Sequence, residues 1–572
     1  MEVRRKNGAE ILVEYLEKEG VEYIFGYSGG AALPIFDALY HSNIKLIMSR
    51  HEQGATHMAD GYARVTGKPG VVLVTSGPGA TNTITGIMTA QMDSVPMIVL
   101  TGQTNTNLLG MDAFQEADVF GISIPVVKHN YLVRNTGDIP RIVKEAFTIA
   151  GSGRPGPVLI DLPKDVTSAI YQEEAKERAE INLPGYKVPG KPDAGHVKQL
   201  AFYLNKAEKP LIIAGHGALI AGAMAEVMEL AERLQAPVTT TLLGKGAFPE
   251  NHELALGMLG MYGTAYANKA LLDCDLVMSI GCRWDDRING NPGKFCPSAK
   301  KLHIDIDPAE IGKIVKPDAH VIGDAKIVLK QLLPLIEDQR ERKWLDKLDS
   351  YKKDFPLEYP KTDELRAQQV IEEAYKITGG KAIVSTDVGQ HQMWAAQFFR
   401  TNQPDTWLSS GGAGTMGFGF PAAIGAQLAR KNDLVIAIVG DGGFQMTLAE
   451  LSTILIHNLA VKILVIDNKY LGMVRQWQEF FLESRYSGVD MVGNPDFVKL
   501  AEAYGVKGFH IDHPGKLTRV LTEAFAYPGP CLIHAEVIKE DNLFPMIPAG
   551  KTAEDMILGP PEGKMEMPEG ST

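Results

Sequence analysis

Cysteine is scarce in this 572-residue chain, and Cys274, Cys282, Cys296 and Cys531 lie far apart with no CxxC pair. Neither a disulfide framework nor a zinc site is suggested, and a reducing, cytoplasmic setting is expected. Long apolar runs are missing too. The longest are strand-sized pieces such as "VKILVI", too short to span a bilayer. Positive charge is in deficit, 57 basic against 69 acidic residues for a net charge of -12, so nucleic acid and anionic membrane are not expected as partners. The start, "MEVRRKNGAEILVEYLEKEG", lacks an apolar core and, after its basic residues, carries Glu10, Glu14, Glu17 and Glu19. It reads as a first helix rather than a signal or transit peptide.

What is present is an ordinary globular composition, 45% hydrophobic and 22% charged, in a chain too long for one core. Short Val- and Ile-rich runs ("GVVLVTS", "PMIVLTG", "GPVLIDLP", "KPLIIAGHGA", "NDLVIAIVGDGG", "VKILVIDN", "PCLIHAEV") alternate with amphipathic stretches. The pattern predicts an α/β fold of three domains, each with a mainly parallel sheet flanked by helices. Their expected bounds are 1–185, 190–340 and 365–550. A charged helix passing into a Pro- and Gly-rich linker is expected over 173–196, a solvated helical crossing at "EDQRERKWLDKLDSYKKD", and a flexible tail or lid over 551–572.

The stretch "VGDGGFQ" ends an apolar run with Asp441 between two glycines. In parallel sheets ligands gather beyond the carboxyl ends of strands, and a glycine turn opening a helix suits an anion. Thr447 and Glu450 stand in capping-box spacing ahead of an expected helix with Leu448, Leu451 and Leu455 on one face. Asn468 ends the next run. On neighbouring strands, Asp441 and Asn468 offer hard oxygens that Mg²⁺ shares with a diphosphate.

"GDG", about two dozen residues, then "DN" resembles the motif of thiamine diphosphate (ThDP) enzymes. That resemblance implies Asp441, Asn468 and the Tyr470 carbonyl as Mg²⁺ ligands. "SRHEQGATHMADGYAR" resembles the segment whose glutamate, here Glu52 at an expected strand end, bonds the cofactor's pyrimidine. "GGAGTMGFGFPAAIGA" supplies Met416 beneath the bent cofactor. Pro78, Asn82, Gln390, His391, Gly414, Gly442, Gly443, Gly472 and Met473 are implied cofactor contacts.

Over almost the whole chain, "TSGPGATN", "DAFQEADVFGISIPVVKHNYLV", "GRPGPVLIDLPKDV", "GMLGMYG", "RWDDR" and "LGMVRQWQEFF" stand in the order of the acetohydroxyacid (acetolactate) synthase family. The resemblance implies decarboxylation of pyruvate and transfer of its two-carbon unit to pyruvate or 2-ketobutyrate, a step of branched-chain amino acid biosynthesis. Gln115, Lys164, Arg287 and Trp477 are implied at the substrate, Trp477 favouring the larger acceptor. Read as an amphipathic helix, the last segment buries Leu471, Val474, Trp477 and Phe481. A dinucleotide fingerprint fails at Ile220. A structural, non-redox FAD is implied instead, at Arg154, Gly215, Gly217, Thr240, Thr241, Leu242, Met261, Gly263, Arg283, Asp285, Asp305 and Asp324. Self-association, with each active site shared between two chains, is also implied, and a regulatory small subunit is left open. A FAD-dependent pyruvate oxidase-like enzyme and a catalytically silent subunit are the competing readings. The chain departs from the family at Ser28 and Asn105, where proline is usual, and at Asp467.

Overall fold

The computed structural model describes residues 5–172, 181, 183–338 and 343–560. Strands β1 (Tyr23–Tyr27), β2 (Lys45–Met48), β3 (Gly70–Val74), β4 (Met97–Gln103), β5 (His129–Leu132) and β6 (Pro157–Pro163) form a first sheet in the order β2-β1-β3-β4-β6-β5. A second sheet holds β7 (Pro210–Ala214), β8 (Val238–Thr240), β9 (Ala255–Met258), β10 (Leu276–Ile280), β11 (Lys300–Asp305) and β12 (Ala319–Ile322), in the order β12-β11-β10-β7-β8-β9. The third holds β13 (Ile383–Thr386), β14 (Trp407–Ser409), β15 (Val435–Gly440), β16 (Lys462–Asp467), β17 (Lys507–Ile511) and β18 (Cys531–Glu536), in the order β14-β13-β15-β16-β18-β17.

All strand pairs in these sheets are parallel. The apolar runs lie in central strands, where both faces are covered; β3, β7, β10 and β15 are buried throughout. The first and third sheets share one strand order. The second has the doubly wound order that places a ligand crevice where the winding reverses, between β7 and β10.

One hydrophobic cluster runs through both outer domains, joining Phe25, Met58 and Val72 to Phe420, Ile424, Phe444 and Val465. At its centre the helices Glu52–Thr66 and Gly419–Ala429 cross with backbones nearly touching. A Cβ on Gly61 would stand 2.0 Å from the Ala422 carbonyl oxygen, and one on Gly425 1.9 Å from that of Met58. The central domain has a core of its own, from Val197 to Leu348.

Three expectations need correction. The helix Lys343–Asp354 is no solvated crossing, because it buries Trp344, Leu345 and Leu348 in the central core. Residues 551–560 pack rather than dangle: the Lys551 carbonyl closes on Gly290 and Ile557 bridges to Met546. The helix Gly472–Phe481 buries Arg475, Gln476, Phe480 and Phe481, whereas Val474 faces outward. The expected charged helix at 173–180 and the last part of the tail, 561–572, lie outside the described residues. Among those residues no helix is long and apolar enough to cross a membrane.

Candidate active site

Strands β15 and β16 are neighbours, with Gly440 opposite Ile466, so Asp441 and Asn468 both follow the carboxyl ends of adjacent strands. Asp441 opens the helix Asp441–Thr447, only 2% exposed. The Asn494 amide donates to Asp441 Oδ2 (2.7 Å) and to Asp467 Oδ1 (3.2 Å). Burial, with Asp467 alongside, pushes the Asp441 carboxyl up to about 7. Burial also opposes ionisation of Asp467, but the 2.9 Å bond to His534, with that ring's charge and the hydrogen bonds from Asp441 and the Lys469 N–H, together hold the group below its ordinary value. Asn468 Oδ1 accepts from the Tyr470 N–H at 3.1 Å, and its amide donates to Gln390 at 3.3 Å.

Two buried carboxylates and an amide oxygen at a helix start are an oxygen donor set that suits a hard divalent cation, which would relieve the cost of burying their charge. The glycines let neighbouring side chains close on the backbone here. A Cβ on Gly472 would lie 2.1 Å from Gln390 Oε1, on Gly442 2.8 Å from a Leu471 methyl, and on Gly443 2.8 Å from the Asp387 carboxylate. Met416 reaches the same helix, its methyl 3.7 Å from where the Gly442 Cβ would be. The loop carrying Met416, with Gly414 at φ +63°, is fixed by Asp387, which accepts the Gly417 N–H at 2.9 Å. Burial raises Asp387 to about 6, against the opposing hydrogen bonds of Val388, Gly417 and Gly419. His391 Nε2 accepts from the Gly440 N–H (3.1 Å), and burial lowers its ring to about 4.

Glu52 does not end a strand as expected. β2 stops at Met48, and Glu52 begins the helix Glu52–Thr66. Its Oε2 accepts from Asn82 Nδ2 at 3.0 Å. Pro78 starts the adjoining short helix, and Gly77, at φ +59°, lets the Gln115 backbone approach to within 2.8 Å of where its Cβ would be. Glu52, Pro78, Asn82 and Gln115 therefore form one group. Lys164 is exposed, opening the helix Lys164–Ser168 directly after β6. Ser28 is exposed after β1. Asn105 keeps φ -61°, the angle a proline would impose.

A cavity of about 770 Å³ opens at the reversal point of the central sheet. Of the residues expected there, Arg154, Gly217, Thr241, Leu242, Met261, Arg283, Asp285, Asp305 and Asp324 line it, and so do Arg287, Gly414, Met473 and Trp477. Gly215, Thr240 and Gly263 are not on its wall. Gly215 and Gly217 have a packing reason of their own, since a Cβ on either would stand within 2.7 Å of the Gly281 backbone. The volume and the polar lining of Arg154, Arg283, Asp305 and Asp324 fit a large polar cofactor. Arg154 is already held by Glu310 (2.7 Å) and Asp307 (3.2 Å). Trp477 donates through Nε1 to Tyr262 (3.1 Å), whose hydroxyl donates to Met473 sulfur (3.1 Å). The Arg287 side chain is 61% exposed and touches Met261 sulfur at 3.4 Å.

The sequence reading missed Asp387 and Asn494. Asp387 follows a strand-like run and was open to the reasoning applied to Asp441; Asn494 sits in a loop without pattern. Thr447 and Glu450 form no capping box, because the helix starts six residues before Thr447 and the Glu450 carboxylate bonds Arg50 and His51 instead.

Three family models match the chain: thiamine pyrophosphate enzyme N-terminal TPP binding domain over residues 6–122, central domain over 197–332, and C-terminal TPP binding domain over 387–535. The acetolactate synthase large subunit of Parasynechococcus marenigrum is 47% identical over 98% of this chain and 92% of its own. The probable acetolactate synthase large subunit of Methanocaldococcus jannaschii is 48% identical over 95% and 94%. That of Haemophilus influenzae is 44% identical over 98% and 99%.

Proposed function

The chain belongs to the acetolactate synthase large-subunit family of thiamine pyrophosphate enzymes, and on that premise we propose how its residues carry the reaction, the decarboxylating union of two 2-keto acids. Bound ThDP supplies the electron sink that takes up the pair released when pyruvate loses CO₂. Asp441, Asn468 and the Tyr470 carbonyl would hold Mg²⁺ and through it the diphosphate, with Gly442, Gly443 and Gly472 leaving backbone free to approach, and Met473, Gln390 and His391 walling the site. Met416 supports the cofactor between its two ends. Glu52 holds a proton at pyrimidine N1′, and Asn82 and Pro78 orient it. Arg287 pairs with the acceptor carboxylate, Trp477 shapes the acceptor's side-chain space, and Gln115 and Lys164 close the site from the first domain. Arg154, Gly217, Thr241, Leu242, Met261, Arg283, Asp285, Asp305 and Asp324 would hold FAD in the central cavity, where it would serve as a structural wall. A regulatory small subunit fits the large-subunit kinship.

Each site is shared between two copies of the chain. Supporting this, the loop before Glu52 is bonded to Glu450, three residues past the helix that Asp441 begins, so that helix stands between one chain's two anchor points. The observation that carries the whole reading is the buried Asp441–Asn494–Asp467 cluster beside Asn468 at the ends of neighbouring strands. Purified protein given pyruvate with ThDP, Mg²⁺ and FAD is expected to release CO₂ and form acetolactate, and to form 2-aceto-2-hydroxybutyrate when 2-ketobutyrate is added. CO₂ release with flavin reduction and no acetolactate would replace this reading by the oxidase one. Glu52→Gln is expected to abolish turnover while Mg²⁺-dependent ThDP binding persists.

A further inference from the structure

Glu450 is 1% exposed, three residues beyond the helix that Asp441 opens. Its carboxylate leaves its own domain. Oε1 accepts the backbone N–H of Arg50 at 3.0 Å and of His51 at 3.1 Å, Oε2 lies 3.1 Å from the same Arg50 nitrogen, and the Thr453 hydroxyl donates to Oε2 at 2.7 Å. Arg50 and His51 immediately precede Glu52. Gly54 gives the carboxylate room, for a Cβ there would stand 2.3 Å from Oε1. A fully enclosed carboxylate is costly unless bonded, and three of this one's four hydrogen bonds go to the two residues that aim Glu52.

We propose that Glu450 is a positioning residue for Glu52, a strut that locks the turn ahead of it to the helix bearing Asp441. The inference rests on the reading of Glu52 and Asp441 given above. If each chain gives Asp441 to one cofactor and Glu52 to another, this strut joins the two sites of a pair, and displacement of the diphosphate helix at one is felt at the activating glutamate of the other.

The test begins on cofactor-free protein. Hydrogen exchange of the 49–54 segment is expected to accelerate about tenfold in Glu450→Ala, with Glu450→Gln, which keeps one acceptor oxygen, in between. Mg²⁺-dependent binding of inorganic diphosphate is expected to stay within about threefold of wild type in both variants, since its ligands are untouched. For acetolactate formation, kcat of Glu450→Ala falls at least about tenfold with the pyruvate KM within about threefold, and Glu450→Gln recovers much of the loss. Wild-type exchange at 49–54 in Glu450→Ala overturns the proposal, as does a kcat loss matched by an equal loss of diphosphate affinity. Should Glu450→Ala not fold, Glu450→Gln and Gly54→Ala carry the same comparison. If the wild-type protein makes no acetolactate, the functional reading fails, and the exchange result still decides whether the strut exists.

Discussion

Replacing Gly425 by alanine tests the joint on which both cofactor-binding domains depend. The added methyl would stand 1.9 Å from the Met58 carbonyl oxygen, against backbone rather than a side chain that can swing away. Relief requires the helices Glu52–Thr66 and Gly419–Ala429 to part by about 1 Å, against neighbours that already fill the space. Met58, Ala422 and Ile424 are all fully buried there. Overpacking of this kind costs about 1–3 kcal/mol, and the backbone obstacle puts this site at the upper end, about 3 kcal/mol. In a domain of this size that lowers the unfolding midpoint by roughly 6–12 °C, readable by calorimetry on cofactor-free protein. Gly61→Ala meets the Ala422 carbonyl at 2.0 Å across the same crossing, so one separation admits both methyls. The double variant is then expected to lose less than the sum of the singles, by about 1 kcal/mol or more. A wild-type midpoint for Gly425→Ala, or strict additivity of the pair, would refute the close crossing.

Asn494→Ala leaves the proposed Mg²⁺ ligands in place but frees both carboxylates it bridges, so Mg²⁺ affinity measured by titration calorimetry in the presence of ThDP is expected to fall about 10–100-fold. Asp387 has a folded-state value of about 6 against an ordinary 3.8, so the stability it contributes is full below about pH 4 and is lost as pH rises through about 6. The difference in unfolding free energy between wild type and Asp387→Asn should therefore shift by roughly 3 kcal/mol from pH 4 to pH 7 and stay flat above, and a constant difference would show that the group is not held protonated. Trp477→Leu, removing the ring bonded to Tyr262, is expected to lower the preference for 2-ketobutyrate over pyruvate by about tenfold in a competition assay, and an unchanged ratio would remove Trp477 from the acceptor's surroundings.

The parallel sheets were legible because central strands covered on both faces must be continuously apolar. The same logic hides edge strands. β14 is three residues long, and β17, half open to solvent, presents the mixed text "KGFHI". The common strand order of the outer domains left no visible repeat, because topology constrains only which positions are apolar. Asp441 and Asn468 stood out because backbone chemistry dictates their surroundings, glycines on either side of Asp441 and strand ends before both, whereas Glu52 was singled out only by the family resemblance. Glu450 was misread because capping-box spacing is a local pattern, and its true partners lie 400 positions away in sequence. Val474 was assigned to the wrong face because helical periodicity ranks apolar residues inward, whereas here Arg475 is buried, held by the Asp541 carbonyl and by Asn542.

The distribution of cores sets what can be cut from this chain. The outer domains share a single apolar cluster, so neither retains a complete interior if the other is removed. The middle domain has a separate main core and, of its buried residues, lends only Met258, Met261 and Tyr262 to the third domain's cluster. It behaves as a cassette. A lineage could exchange that insert while the surrounding pair went on folding around the same thiamine chemistry.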